Sequence, residues 1–158
     1  LTAKLIEAGV KVTELDDALR VEGTGELKCT NVLTMPYPGF PTDLQPQMTA
    51  LLTVAKGNSV MIEGVWDNRF QYTDELIRMG AKIVAVGKMA TIESVPKLYG
   101  APVKATDLRG GAAVVIAGLM ADGTTEVSNL SFIDRGYENF EEKLRSLGAK
   151  IERVDDDK

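Results

Sequence analysis

A repeated α/β architecture is what this sequence predicts, on three observations. Strand-like and helix-like stretches alternate along the chain. One block of sequence returns 64 to 68 residues later, the self-similarity that marks stacked structural units. The N-terminal residues match only the second half of that block. At 158 residues the chain is long enough for one domain with a real core.

Taken in order, Lys4-Leu5-Ile6-Glu7-Ala8-Gly9-Val10-Lys11-Val12 reads as a helix that stops at a glycine and runs into a strand. A stiff connector occupies 36–47, where Pro36, Pro38 and Pro41 hold the backbone near extended or turn conformations. Thr42 offers an N-cap hydroxyl, Gln45 completes a capping box, and Pro46 falls in the first turn, where a missing N–H is tolerated. Leu44, Met48, Leu51, Leu52 and Ala55 then recur at helical spacing, predicting a helix over 43–56. Gly57 leads to a strand over 59–65, an Arg-bearing loop to a helix over 73–79, and Gly80 to the strand Lys82–Val86.

The second copy opens on Thr106-Asp107-Leu108, which repeats Thr42-Asp43-Leu44. It predicts a helix over 107–121, a strand over 124–130, a loop in which Arg135 repeats Arg69, a helix over 138–147, Gly148 as its end, and a strand Lys150–Val154. The pieces are 1–35, 36–100 and 101–154, followed by a solvated acidic tail at 155–158. Because the first piece lacks its opening helix and strand, the chain is expected to be a fragment of a longer polypeptide, or a domain completed by other segments.

Composition narrows the chemistry. A net charge of −5 argues against nonspecific nucleic-acid binding. No apolar run approaches a membrane span, and the opening Leu1-Thr2-Ala3-Lys4 does not read as a signal peptide. A single cysteine forbids an intrachain disulfide and suits a reducing, cytoplasmic setting. With no histidine, the usual general base and the commonest metal ligand are both missing. Chemistry must therefore rest on carboxylates, Arg, Lys or one thiol. Cys29 has no histidine to activate it and reads as structural. No metal-ligand spacing, phosphate loop or dinucleotide fingerprint is present, so no metal or cofactor is expected.

Two groups of residues stand out. Asp43 ends the proline-braced connector at a helix start, a position that suits capping or a carboxylate facing a cleft. Arg69 and Arg135 occupy equivalent loops after a strand, and Arg109 lies in the first turn of a helix, where a lone cation opposes the helix dipole. Each arginine alone reads as a solvent-facing salt bridge of little worth. Together they suggest a shared pocket for an anion such as a carboxylate or phosphate. Gly110 and Gly111 weaken that helix but permit close backbone approach.

Four motifs carry a resemblance over roughly Lys4 to Val154: Pro-Tyr-Pro-Gly-Phe-Pro-Thr-Asp-Leu-Gln at 36–45, Asn-Arg-Phe at 68–70, Ala-Thr-Asp-Leu-Arg at 105–109 and Ile-Asp-Arg-Gly-Tyr-Glu at 133–138. In these the chain resembles the C-terminal part of the UDP-N-acetylglucosamine 1-carboxyvinyltransferase family of enolpyruvyl transferases. The resemblance implies an inside-out α/β barrel lobe of the EPSP synthase-like fold, of which 1–154 is a part. It implies transfer of enolpyruvyl from phosphoenolpyruvate to the 3-hydroxyl of UDP-N-acetylglucosamine, the first committed step of peptidoglycan synthesis, with roles in cell shape and division. By the same resemblance Asp43 binds the sugar and deprotonates its hydroxyl, and Val65 is a backbone contact to the sugar nucleotide. Arg109 and Arg135 lie on the phosphoenolpyruvate side of the cleft, and Arg69 is another cleft arginine. The family's N-terminal Lys-Asn pair and the lobe bearing its reactive cysteine have no counterpart here, and Cys29 lies in the wrong context. The chain alone is therefore expected to be inactive. The alternatives are a lobe of a shikimate-type transferase, and a noncatalytic interaction module that self-associates through its incomplete repeat.

Overall fold

Three helix ends share one hydrogen-bond pattern, and they mark the repeat in the computed structural model, which describes residues 1–154. Helix α1 (Thr2–Glu7), α3 (Thr73–Arg78) and α6 (Phe140–Ser146) each stop short of a glycine with positive φ: Gly9 at +88°, Gly80 at +94° and Gly148 at +95°. In each, the glycine N–H donates back to a carbonyl three residues earlier (Ile6, Ile77, Arg145). The next N–H donates five residues back, to Leu5, Leu76 and Leu144. This double closure satisfies carbonyls that a helix end would otherwise leave open.

Around these ends the elements alternate. Strands β1 (Lys11–Glu14) and β2 (Leu19–Glu22) form an antiparallel hairpin. Strand β3 (Val32–Leu33) precedes the proline-rich connector, a single 3-10 turn (Thr42–Leu44) and helix α2 (Gln45–Leu52). Strand β4 (Asn58–Ile62), α3, β5 (Lys82–Val86) and β6 (Met89–Glu93) follow. A four-stranded sheet has the order β3-β4-β6-β5, with β3 and β4 parallel and the rest antiparallel. Then come β7 (Pro102–Lys104), α4 (Leu108–Met120), β8 (Glu126–Ser128), α5 (Ser131–Asp134) and α6. Strands β7 and β8 pair in parallel, as β3 and β4 do.

Helices α2 and α4 lie inside and the sheets outside. Helix α4 is buried on most sides, from Gly110 through Ala117, because small and β-branched residues surround its axis. It packs on α2, whose Met48 and Leu52 join Val32, Met61, Leu76, Met79, Ile92 and Leu98 in the main core. The outer sheet face keeps Val84 and Val86 exposed. A second, smaller cluster joins Ala105, Val115 and Ile133 to Phe140, Leu144 and Ile151.

The glycines of α4 serve this packing. A Cβ on Gly111 would stand 2.7 Å from Ile133 Cγ1 and 3.0 Å from Ala105 Cβ. Gly111→Ala gains about 1 kcal/mol of helix propensity but forces α5 away, at a cost of about 1–3 kcal/mol. Urea unfolding is expected to show a lower midpoint for the variant. An unchanged or higher midpoint would show that α5 yields freely.

Several sequence expectations need correction. The capping box at Thr42 and Gln45 does not form. Thr42 donates instead to Glu63 Oε2 at 3.0 Å, and Gln45 Oε1 accepts from Tyr72 Oη at 2.8 Å. Both side chains are taken by buried polar partners, and these hydrogen bonds offset the cost of burial. The strand Lys82–Val86 has the predicted bounds, β4 starts one residue earlier and stops three residues sooner than 59–65, and the other predicted helices and the 124–130 strand shorten by one to several residues at their ends. Residues 150–154 form no strand; their counterpart β5 is one because β6 pairs with it along its length. The hairpin strand β2, along with β3, β6, β7 and the short α5, was not anticipated by the repeat. The acidic tail at 155–158 lies outside the described residues.

Arg153 fastens this C-terminal stretch to α5 and α6. Its guanidinium donates to Asp134 at 2.7 and 3.1 Å and to Glu141 at 2.9 and 3.2 Å. The hydrogen bonds from Arg153 hold the Asp134 and Glu141 carboxyls below their ordinary range. A depressed carboxyl stabilises the fold above its unfolded pKa and loses that contribution as pH falls through the folded value. Amide exchange in α6 is therefore expected to accelerate as pH drops below the ordinary carboxylate range, after correction for intrinsic rates. Arg153→Ala should flatten that dependence.

Candidate active site

The connector places Asp43 by anchoring both of its ends. Met35 N donates to Phe40 O at 2.9 Å, and Phe40 is buried in the main core. The Tyr37–Pro38 bond inside this loop is cis. Pro41 is extended (φ −71°, ψ 137°) and feeds directly into the 3-10 turn that carries Asp43.

At the head of α4, the Asp107 carboxylate accepts from Arg109 N at 2.9 Å and Gly110 N at 3.0 Å, an N-cap that satisfies two open donors. Arg109 is thereby aimed across the gap toward α2. Its Nη2 donates to Asp43 Oδ2 at 2.7 Å and its Nη1 to Tyr137 Oη at 2.9 Å. The guanidinium carbon lies 5.5 Å from the Tyr137 ring centroid, within cation–π range. The Tyr137 hydroxyl, and next the Asp43 carboxylate, raise the Arg109 pKa from its ordinary value.

Arg69 comes to the same carboxylate from the β4–α3 loop. Asn68, in the left-handed region at φ +54°, turns the chain just before it. Its Nη2 lies 3.5 Å from Asp43 Oδ1. Arg69 Nε is buried with no hydrogen-bond partner among the described residues, as is Gln47 Oε1 nearby. Gln47 Nε2 meets Tyr137 Oη at 3.5 Å. Unpaired buried polar atoms of this kind are costly.

The Asp43 side chain is 53% exposed, so its two ion pairs are worth about 0–1 kcal/mol each. An incoming anion can exchange for them. Arg109 would then keep its Tyr137 partner and offer the freed Nη2.

Of the five residues singled out from the sequence, Asp43, Arg69 and Arg109 are in contact. Val65 is 39% exposed, with its N–H held by Glu63 Oε1 at 2.9 Å. Arg135 does not join them: it is exposed, and its guanidinium stands 5.8 Å from the Phe132 ring centroid. Tyr137, Asp107 and Glu63 were missed as individual contributors. Alternation along β4 signals the last of these, since Glu63 follows Ser59 and Met61 on the inward side.

Solved structures define the class. With the enolpyruvyl transferase NikO from Streptomyces tendae the chain shares a TM-score of 0.88 at 29% identity, over 97% of this chain and 36% of that one. An EPSP synthase from Acinetobacter baumannii shares the fold at a TM-score of 0.62 and 18% identity, over 80% of this chain and 31% of that one. Residues 1–144 match the family described as EPSP synthase (3-phosphoshikimate 1-carboxyvinyltransferase), and the chain belongs to that family. Within it, the chain is 63% identical over 158 residues to UDP-N-acetylglucosamine 1-carboxyvinyltransferase 2 of Carboxydothermus hydrogenoformans, covering 99% of this chain and 38% of that one. It is 56% identical over 154 residues to the UDP-N-acetylglucosamine 1-carboxyvinyltransferase of Desulfofundulus thermocisternus, covering 98% of this chain and 63% of that one. The chain thus spans less than two thirds of the length of these relatives, 38% of the first and 63% of the second. Among the described residues, no helix is long and apolar enough to cross a membrane.

Proposed function

We propose that the chain is part of an enzyme that moves enolpyruvyl from phosphoenolpyruvate to the 3-hydroxyl of UDP-N-acetylglucosamine, the committed step of cytoplasmic peptidoglycan precursor synthesis. The observation that carries this is one carboxylate, Asp43, held at the cleft by two arginines from successive repeats. High identity to relatives named for this sugar nucleotide favours it over shikimate 3-phosphate as acceptor.

In this reading residues 1–154 form part of one lobe, and the other lobe completes the cleft. Arg109 exchanges Asp43 for a substrate anion, and Arg69 contributes its unpaired Nε. Arg135 is assigned to the phosphoenolpyruvate side by the family resemblance alone. Val65 offers its carbonyl to the sugar nucleotide, since its N–H is already engaged. Asp43, released from Arg109, takes the proton of the 3-hydroxyl as that oxygen bonds to the enolpyruvyl carbon, and the carbon–oxygen bond to phosphate breaks.

The test is a chimera in which residues 1–158 replace the matching segment of the Carboxydothermus hydrogenoformans relative. Phosphate release is expected with phosphoenolpyruvate and UDP-N-acetylglucosamine, and none with shikimate 3-phosphate as acceptor. The 158-residue chain alone should release none with either. The reverse acceptor preference would overturn the assignment.

A further inference from the structure

We propose that Glu63 is a positioning residue, whose buried carboxylate sets Asp43 and Val65 against each other across the rim of the cleft. This rests on the reading of those two residues as sugar-nucleotide contacts.

Glu63 is 1% exposed, at the end of β4. Four donors converge on its carboxylate. Thr34 Oγ1 donates to Oε1 at 2.7 Å, Val65 N to Oε1 at 2.9 Å, Trp66 N to Oε1 at 3.1 Å, and Thr42 Oγ1 to Oε2 at 3.0 Å. Thr34 Oγ1 in turn accepts from Gly64 N at 2.9 Å. A Cβ on Gly64 would run into the Thr34 carbonyl oxygen, so the loop can close this tightly only on glycine.

All four donors are neutral hydroxyl or amide groups. Burying a carboxylate among them costs free energy that an apolar residue at this inward position would avoid. What a carboxylate adds is two acceptor oxygens facing opposite ways. Oε1 gathers the β4–α3 loop at Val65 and Trp66. Oε2 takes Thr42, the residue before Asp43. A glutamine would have to reverse the Thr42 bond, donating its NH2 group to the hydroxyl, and a leucine would hold neither side.

Both held residues need such an anchor. Among the described residues, the hydrogen bonds of the Asp43 side chain run only to arginines, which a ligand can displace. Val65 is apolar and exposed. Their spacing is therefore determined by the backbone, and Glu63 is where the two backbones are tied. A displacement of about 1 Å in a reacting group is enough to lower rates severely.

The chimera described above tests this. Glu63→Leu and Thr42→Val are each expected to lower kcat roughly ten- to a hundredfold, the range for one hydrogen bond to a charged group. Each should raise the KM for UDP-N-acetylglucosamine more than that for phosphoenolpyruvate. Glu63→Gln, whose oxygen can accept on the Val65 side while its NH2 donates to the Thr42 hydroxyl, should be milder than Glu63→Leu. Thr42→Ser, which keeps the hydroxyl, should recover most of the loss. The double variant Glu63→Leu with Thr42→Val should be no slower than Glu63→Leu, because both cut one connection. Amide exchange at Val65 and Trp66 should accelerate in Glu63→Leu and stay parental in Thr42→Val.

Parental kcat and exchange in Glu63→Leu, or fully additive losses in the double variant, overturn the proposal. A chimera inactive with either acceptor, yet showing faster Val65 and Trp66 exchange in Glu63→Leu, supports the tie and overturns the functional reading instead.

Discussion

Asp43→Asn in the chimera is expected to lower kcat by about 10²- to 10⁴-fold, the span ordinarily supplied by a positioned general base. Asparagine keeps the shape of the side chain and can still accept from Arg109 through its amide oxygen. It cannot take a proton at neutral pH. The fold should survive, because Asp43 is exposed and its ion pairs contribute little to stability. Calorimetric titration should therefore still detect sugar-nucleotide binding while phosphate release collapses. A variant within tenfold of the parent would remove Asp43 from proton transfer and leave it only the role of holding Arg109.

Arg109→Ala is expected to have the second-largest effect, on the anionic substrate. The guanidinium is anchored by Tyr137 at 2.9 Å and directs its other arm to the cleft. Removing a charged hydrogen-bond donor costs about 1.5–3 kcal/mol, or roughly ten- to a hundredfold in kcat/KM for phosphoenolpyruvate. Arg109→Lys should recover little, since an ammonium cannot reach Tyr137 and a second acceptor in the same planar geometry. Tyr137→Phe should fall between, because the ring remains while the hydroxyl that orients Nη1 is lost. Full activity in Arg109→Lys would mean that only a point charge is needed there.

Much of this was legible in the sequence because it depends on short-range chemistry. Glycines after Ala8, Met79 and Leu147 declared three helix ends, and all three close with the same pair of hydrogen bonds. The duplicated Thr-Asp-Leu triplets located both helix starts. They did not reveal that the two would differ: Asp107 caps α4 with its own carboxylate, whereas the equivalent Asp43 leaves its helix and reaches for arginines. The difference lies in the buried surroundings. Glu63 claims Thr42 and Tyr72 claims Gln45, so a local capping box yields to partners that are distant in sequence.

Hydrophobic periodicity, glycine placement and the repeat sufficed to determine the class and the order of the main helices, since each follows from spacing along one stretch of chain. Which arginines meet one carboxylate was decided only in three dimensions. Arg69 and Arg135 are equivalent in the repeat, yet Arg69 meets Asp43 while Arg135 lies over Phe132. Sequence equivalence preserves a residue's place within its unit. Contact between units depends on how they pack, and here α2 and α4 lie side by side inside the fold, which brings Asp43 and Arg109 together from positions far apart in the chain.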